Sequence, residues 1–397
     1  MASVYVHFPY CLAKCPYCDF TSYARARKDI DHRGYADAVL AELSARSAHL
    51  ETRGRAFRVG SVFFGGGTPS LWAPEELGRV LEGVRRRLDL APDCEVTVEC
   101  NPTSLDGKRC RELLGVGVDR LSIGTQSLDA SELAFLGRLH DPEGARAAVL
   151  GALAAGVPRV STDLIFGLPG QSPGSAVAQA CALAELGLRH LSCYQLTIEP
   201  GTRFGELARA GRLPLADDGR VAEAFLAIDL ALGERGFHHY EISNYALPGE
   251  EARHNLAYWR GDEYLGLGCG AFGALRVRER PAGAVRYRNP TRPEEYVALA
   301  PGTRPERPSS LDGLSQEAEE LDAGTLLKER IMLGLRLEGG FDLAAAAEEL
   351  GAPGLTEERE RALGSLVARG RIVRQGTRLR LPRQAWLFTD DTAARLF

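Results

Sequence analysis

Up to about residue 200 the chain repeats one unit: a short β-branched run, a small-residue turn, then a helical stretch. The runs are SVYVHF, VGSVFFGGG, EVTVECNP, RLSIGTQS, RVSTDLIFGLPG and HLSCYQLTI. Between them lie stretches such as GYADAVLAELSARSAHL, APEELGRVLEGVRRRL and PEGARAAVLGALAAG. Strands alternating with helices require βα units and a parallel sheet. Six units, where eight would close a barrel, predict an α/β fold with a partial (β/α)6 TIM-like barrel. In such folds the C-terminal ends of the strands carry the chemistry, so site residues should fall just after each run.

Beyond residue 200 the pattern changes, and 397 residues are enough for two or three domains. The sequence divides into a barrel over 1–230, an extension over 231–300, a linker over 301–322 and a C-terminal domain over 323–397. The linker rests on the Pro-, Ser- and charge-rich APGTRPERPSSLDGLSQEAEE. The last domain reads as helices followed by a β-hairpin, RIVRQGTRLRLP, which predicts a winged-helix-like module. Arg369, Arg371, Arg374, Arg378, Arg380 and Arg383 raise nucleic-acid binding. Glu357, Glu358 and Glu360 on the same module would repel phosphate, so a packing role is expected and no nucleic-acid partner.

A net charge of -5 gives no reason for a polyanionic or membrane partner. No apolar run reaches transmembrane length, and MASVYVHFPY lacks the features of a signal peptide. A cytoplasmic location follows as the expectation. Nine cysteines, an odd number, argue for reduced thiols in such a compartment.

Three of those thiols, Cys11, Cys15 and Cys18, follow the first run in CxxxCxxC spacing. A zinc site completed by His7, or fortuitous buried thiols, are the plain alternatives, although structural zinc normally takes four protein ligands. Iron–sulfur clusters also ordinarily take four cysteines. A 4Fe–4S cluster on three leaves one iron open to a small molecule. The other strand ends agree. Gly65, Gly66, Gly67 and Thr68 follow the second run, where glycines let backbone N–H groups approach a charged ligand. Glu99 ends the third run, Gln126 the fourth, and Asp163 lies in the fifth. Each alone reads as a cap or a satisfied core group; together they read as ligand contacts.

CLAKCPYC resembles the signature of the radical S-adenosylmethionine (SAM) superfamily, and FFGGGTPS its SAM-binding segment in one branch. YVHFPYC, FFGGGTPS, LSIGTQS, LGRLH, DLIFGLPGQ, YQLTIEPGT, YEISNYA and MLGLRLEGG resemble the oxygen-independent coproporphyrinogen III oxidase-like branch through nearly the whole chain. The resemblance implies a 4Fe–4S cluster on Cys11, Cys15 and Cys18. It implies SAM contacts at Tyr5, Tyr17, Gly66, Gly67, Thr68, Glu99, Gln126, Arg138 and Asp163. The branch holds coproporphyrinogen III dehydrogenases, which oxidatively decarboxylate propionates through a deoxyadenosyl radical, and HemW-type heme chaperones. The dehydrogenase signature is CxxxCxxCxC; here Phe20 occupies the last position, which favours the chaperone and no dehydrogenase activity.

His254, Asn255, Tyr258 and Trp259 match the HNxxYW motif of the HemW group, which implies heme as a third cofactor and an unidentified heme-acceptor protein as partner. Neutral imidazole can ligate heme iron. Arg253 and Arg260 flank the motif as candidate propionate partners, and His238 and His239 compete as ligands. GLGCGAFG carries a GxGxxG-like run but opens no βαβ helix, so a dinucleotide site is not expected there and Cys269 reads as a packed residue.

Overall fold

All six runs become parallel strands in the computed structural model, which describes residues 1–52, 57–278, 281–299, 315 and 317–397. They are β1 (Ala2–Phe8), β2 (Arg58–Gly66), β3 (Asp89–Cys100), β4 (Arg120–Gln126), β5 (Arg159–Phe166) and β6 (His190–Gln195), side by side in chain order. The crossovers carry helices α1 (His32–Thr52), α2 (Pro74–Arg87), α3 (Gly107–Gly115), α4 (Pro142–Ala154) and α5 (Pro173–Ala184), with α6 (Asp218–Gly233) after β6. Local chemistry sets the helix starts. Asp106, Asp141, Ser172 and Asp217 accept backbone N–H bonds as N-caps, and proline opens α2, α4 and α5.

The extension continues the same sheet. Strands β7 (His238–Glu241) and β8 (Asn244–Ala246) lie antiparallel beyond β6. Helix α7 (Arg253–Trp259) carries the HNxxYW residues. β9 (Tyr264–Leu267) then pairs parallel with the free side of β1, and β10 (Phe272–Arg278), β11 (Gly283–Arg288) and β12 (Glu317–Leu321) follow antiparallel. The result is one open twelve-stranded sheet in the order β12-β11-β10-β9-β1-β2-β3-β4-β5-β6-β8-β7. β9 adds a seventh parallel strand that the βα count does not include, because it is four residues long and follows only the seven-residue α7. Residues 301–314 and 316 of the expected linker lie outside the described residues. Glu317–Leu321, read there as linker from its charge-rich composition, is a strand paired antiparallel with β11 over its full length, from Glu317 opposite Arg288 to Leu321 opposite Ala284.

The C-terminal part holds α8 (Ala323–Gly334), β13 (Phe341–Asp342), α9 (Leu343–Leu350), α10 (Glu357–Ala368) and the hairpin β14 (Val373–Gln375) and β15 (Arg378–Arg380), with β15 between β13 and β14. Among the described residues no helix is long and apolar enough to cross a membrane.

A buried polar knot fastens α1 to the extension. Glu42 and Arg46 are almost wholly buried and form an ion pair at 2.6 Å. Glu42 also accepts from the Gly268 N–H (2.9 Å), the Tyr296 hydroxyl (2.7 Å) and Asn289 Nδ2 (2.8 Å). The Arg46 guanidinium lies 3.8 Å over the Tyr287 ring. Tyr35, two turns before Glu42 on α1, accepts from the Cys269 N–H and donates to the His7 carbonyl, which ties the knot to β1.

Candidate functional site

The cysteine loop hangs from the C-terminal end of β1 and turns on a Cys18 N–H to Cys15 carbonyl bond. Together with the ends of β2 to β5 it encloses a cleft of about 150 Å³. Cys11, Cys15, Cys18, Tyr17, Gly66, Gly67, Thr68, Glu99, Gln126, Arg138 and Asp163 all line it. Ser122, Asn101 and Cys100 line it as well. Sequence reading passed over these three, though Ser122 is legible as the residue level with Glu99 on the adjacent strand.

Tyr5 is the exception. It lies below the cleft, buried, with its hydroxyl 3.0 Å from His7 Nδ1. His7 Nε2 must donate to the Thr21 carbonyl at 2.7 Å, so Nδ1 is the acceptor from Tyr5. Burial pulls the His7 imidazole down to about 4 and keeps it neutral. Both ring nitrogens are committed, which removes His7 as a zinc ligand. Among the described residues no three His, Cys, Asp or Glu side chains converge to hold a single metal ion. Mononuclear zinc needs its thiolates within about 2.3 Å of one point. Three thiols spaced around a cleft instead suit a polynuclear cluster, each on a different iron.

The glycine run does different work from that expected. Gly66 N–H donates to Glu99 Oε2 at 2.9 Å, Gly67 N–H to the Phe8 carbonyl at 2.8 Å, and Thr68 N–H to the Tyr10 carbonyl at 2.9 Å. Those donors are committed to protein acceptors and form no cradle for a ligand. The missing side chains matter for packing: a Cβ on Gly67 would come within 2.7 Å of the Tyr10 carbonyl oxygen. The glycines bring β2 flush against the cysteine loop, and Thr68 Oγ1 donates to Cys11 Sγ at 3.4 Å.

Arg138 is placed by its loop. Gly137 adopts φ +67° against Pro16, where any side chain would collide with the proline ring. Arg138 Nη1 then reaches Cys15 Sγ at 3.4 Å, and Nη2 donates to the Gly124 carbonyl at 2.8 Å. Its Nε is buried with no hydrogen-bond partner among the described residues. A guanidinium beside thiols with a donor unspent fits an anionic thiolate-held group. Two carboxyls sit on the far wall. Burial, reinforced by Asp163, pushes Glu99 up to about 8 against the pull of the Gly66 N–H. Burial raises Asp163 to about 6 although Ser192 and Ser122 donate to it. A cationic ligand between them would restore both charges. Gln126 has φ +66°, alone among the described non-glycine residues in the left-handed region, at a bulge between β4 and β5. Strain of this kind gathers at ligand sites.

The HNxxYW residues lie elsewhere. His254 is only 4% exposed. Its ring stacks on Phe63 at 4.7 Å and meets Tyr258 edge-on at 5.0 Å. Ser61 gives its hydroxyl proton to Ser3, so it accepts from the His254 Nδ1–H at 3.0 Å. Burial holds the imidazole down near 3. His254 thus packs beside Ser3 of β1 and Ser61 of β2 and is not among the residues that line the cysteine cleft. α7 turns its histidine inward, where Ser61 and the Phe63 ring supply its partners. Tyr258 and Trp259 line two separate cavities, and Asn255 lines neither. Arg253 is tied to Asp93 at 2.7 Å. His239 is buried between Asp229 and the Ile242 carbonyl. Cys269 is a packed residue whose thiol donates to the Thr291 carbonyl.

Comparison with known proteins adds the family. A model of the radical SAM superfamily matches residues 5–178, and one of the HemN C-terminal domain matches 321–388. The chain is 37% identical over 395 residues to the heme chaperone HemW of Mycobacterium tuberculosis, covering 99% of this chain and 94% of that one. It is 41% identical over 273 residues to the heme chaperone HemW of Escherichia coli, covering 69% and 70%. A bovine mitochondrial radical S-adenosyl methionine domain-containing protein 1 is 38% identical over 341 residues, covering 86% and 74%. Among solved structures, coproporphyrinogen III oxidase (HemN) of Escherichia coli matches with a TM-score of 0.79 at 19% identity, over 100% of this chain and 89% of that one, a likeness of fold.

Proposed function

We infer the function from this premise: the chain belongs to the radical SAM superfamily, in the oxygen-independent coproporphyrinogen III oxidase-like branch, with the HemW-type proteins. It acts as a heme chaperone that binds a 4Fe–4S cluster, SAM and heme and hands heme to an acceptor protein, in the cytoplasm. The observation that carries the reading is Phe20. It lines the cleft with the three thiols and is 59% exposed, where a dehydrogenase signature calls for a further cysteine.

Cys11, Cys15 and Cys18 would hold the cluster, with Arg138 beside Cys15 balancing its negative charge. When bound, the cluster supplies one-electron reduction and an open iron for the amino and carboxylate groups of SAM. Glu99 and Asp163 would face the cationic part of that ligand, and Gln126 would be held by its strained backbone toward the same space. Tyr5, its hydroxyl bonded to His7 Nδ1, would support the loop.

The decisive experiment is anaerobic reconstitution followed by two assays. Hemin should bind stoichiometrically, and coproporphyrinogen III with SAM and a reductant should yield no protoporphyrinogen IX. Conversion of coproporphyrinogen III would overturn the chaperone reading in favour of the dehydrogenase. Gln126→Gly tests the SAM assignment. Glycine relieves about 1 kcal/mol of left-handed strain and returns a similar amount in chain entropy, so melting should hold or rise slightly. SAM affinity should drop several-fold. Unchanged affinity with lowered melting would make the bulge a purely structural device.

A further inference from the structure

The electron that a cluster on Cys11, Cys15 and Cys18 would use comes from a separate donor, so the surface around the thiols decides what can deliver it. Cys15 is reached from two sides. Besides the cleft it lines a shallow hollow of about 20 Å³ with Leu12, Thr103 and Leu139. Cys11 and Cys18 line the cleft and not this hollow. Leu139 is 60% exposed at the hollow, and Phe20 is 59% exposed at the cleft. A large apolar side chain thus stands in solvent at each opening.

The chain beside the hollow is cationic. Tyr10–Cys11 pairs with Tyr23–Ala24, and the Arg25 N–H donates to the Cys11 carbonyl at 2.8 Å, so the next residues return alongside the thiol loop. There Arg27 reaches the Thr103 carbonyl at 3.0 Å, at the lip of the hollow. Lys28 is exposed beside it in the same tight turn, Arg27–Asp29. Lys14, next to Cys15, donates to the Phe20 carbonyl at 3.1 Å. Among the described residues none of these three is in an ion pair, whereas Arg25 is held by Glu294 at 2.7 Å. Asp19 and Asp29 are exposed on the same stretch, and Asp31 is bonded to the Gly34 N–H. The balance stays positive on a chain whose net charge is -5. A local reversal of sign steers an acidic partner to one face.

We propose that this face is the docking surface for an acidic single-electron carrier protein, with Leu139 at its apolar centre, Arg27, Lys28 and Lys14 around it, and Cys15 as the point of entry. One electron leaves the carrier, which is oxidised, and enters the cluster, which is reduced; no bond or proton moves. Encounters between redox proteins use small, short-lived interfaces, and one apolar centre with a few cations suits a carrier that must leave after each delivery. A nucleic acid would need a longer cationic track than three side chains interrupted by Asp19 and Asp29. The assignment rests on the 4Fe–4S reading and names the class of partner that feeds it.

The test uses the full-length chain with its cluster reconstituted, and a flavodoxin in its FMN hydroquinone form as the acidic carrier. Loss of cluster absorbance in stopped flow reads the electron transfer. The wild-type rate should fall about tenfold as salt rises from ~0.01 M to ~0.3 M. Arg27→Glu/Lys28→Glu should react about tenfold more slowly than wild type at low salt. Dithionite, which needs no docking face, should reduce both at the same rate. Arg361→Glu/Arg369→Glu makes the same change of net charge at exposed positions of the C-terminal part and should keep the wild-type rate with flavodoxin. Leu139→Glu, at the exposed centre, should also slow the flavodoxin reaction alone, and it decides the matter if the double variant loads less cluster. Wild-type rates in Arg27→Glu/Lys28→Glu, or an equal slowing in the control pair, would overturn the docking face. So would a wild-type cluster that dithionite reduces and flavodoxin does not. Failure of the wild-type chain to hold a cluster would instead overturn the reading on which the face rests.

Discussion

Replacing Glu42 with leucine should cost about 3–5 kcal/mol, since it strands the buried Arg46 cation and leaves three further donors unpaired. Domains have only about 5–15 kcal/mol in total, so the variant should melt far below wild type and the extension should come loose first. The cause is the missing partner charge, and this separates the prediction from a simple packing loss. Glu42→Leu/Arg46→Met removes both charges and should be more stable than Glu42→Leu alone. Urea unfolding of the three proteins checks both statements. A loss below about 1 kcal/mol for Glu42→Leu, or a double variant weaker than the single, would refute the charge argument.

Glu99 should make the stability of the ligand-free chain fall as pH rises from about 4.5 to 8. The sign follows from proton binding. The folded carboxyl titrates near 8, above its ordinary value of 4.5, so within that window the folded state holds a proton that the unfolded state has lost. Stability is full below the window and declines through it, by about 5 kcal/mol at most. Asp163, raised to about 6, adds to the lower part of the same slope. Glu99→Gln has no proton to lose and should flatten most of the slope. Binding a cationic ligand beside the pair should lower both values and release protons near neutral pH. Calorimetry of SAM binding in two buffers of different ionisation heat reads that release directly. It should shrink in Glu99→Gln, and an equal release from both proteins would remove Glu99 from the site.

The strands and the cleft were readable because their determinants are local. A β-branched run with a small-residue turn sets a strand end, and CxxxCxxC spacing keeps three thiols on one loop whatever surrounds it. Direction across the fold was not readable. Nothing local in ARHNLAYW says that His254 points inward; that depends on Ser61 and Phe63, nearly two hundred residues earlier. Nor does GGGT reveal that its N–H groups are spent on Phe8, Tyr10 and Glu99, because those acceptors arrive with β1, its loop and β3. β9 escaped notice for a related reason. It is four residues long, and its hydrogen-bond partner is the first strand of the chain.

That last pairing places the chain's earliest strand in the middle of its sheet. β1 can take up β2 as soon as the first crossover is made, yet its other edge stays open until residue 267 has been synthesised. At about 5–20 residues per second the interval is roughly 13–50 s. Throughout it, the backbone leading into Cys11 lacks one of its two neighbours, and the Glu42 knot lacks Gly268, Asn289 and Tyr296. Birth order therefore gives the protein a period in which the thiol loop exists but its supporting frame does not. Completion of the frame waits on the extension rather than on the barrel.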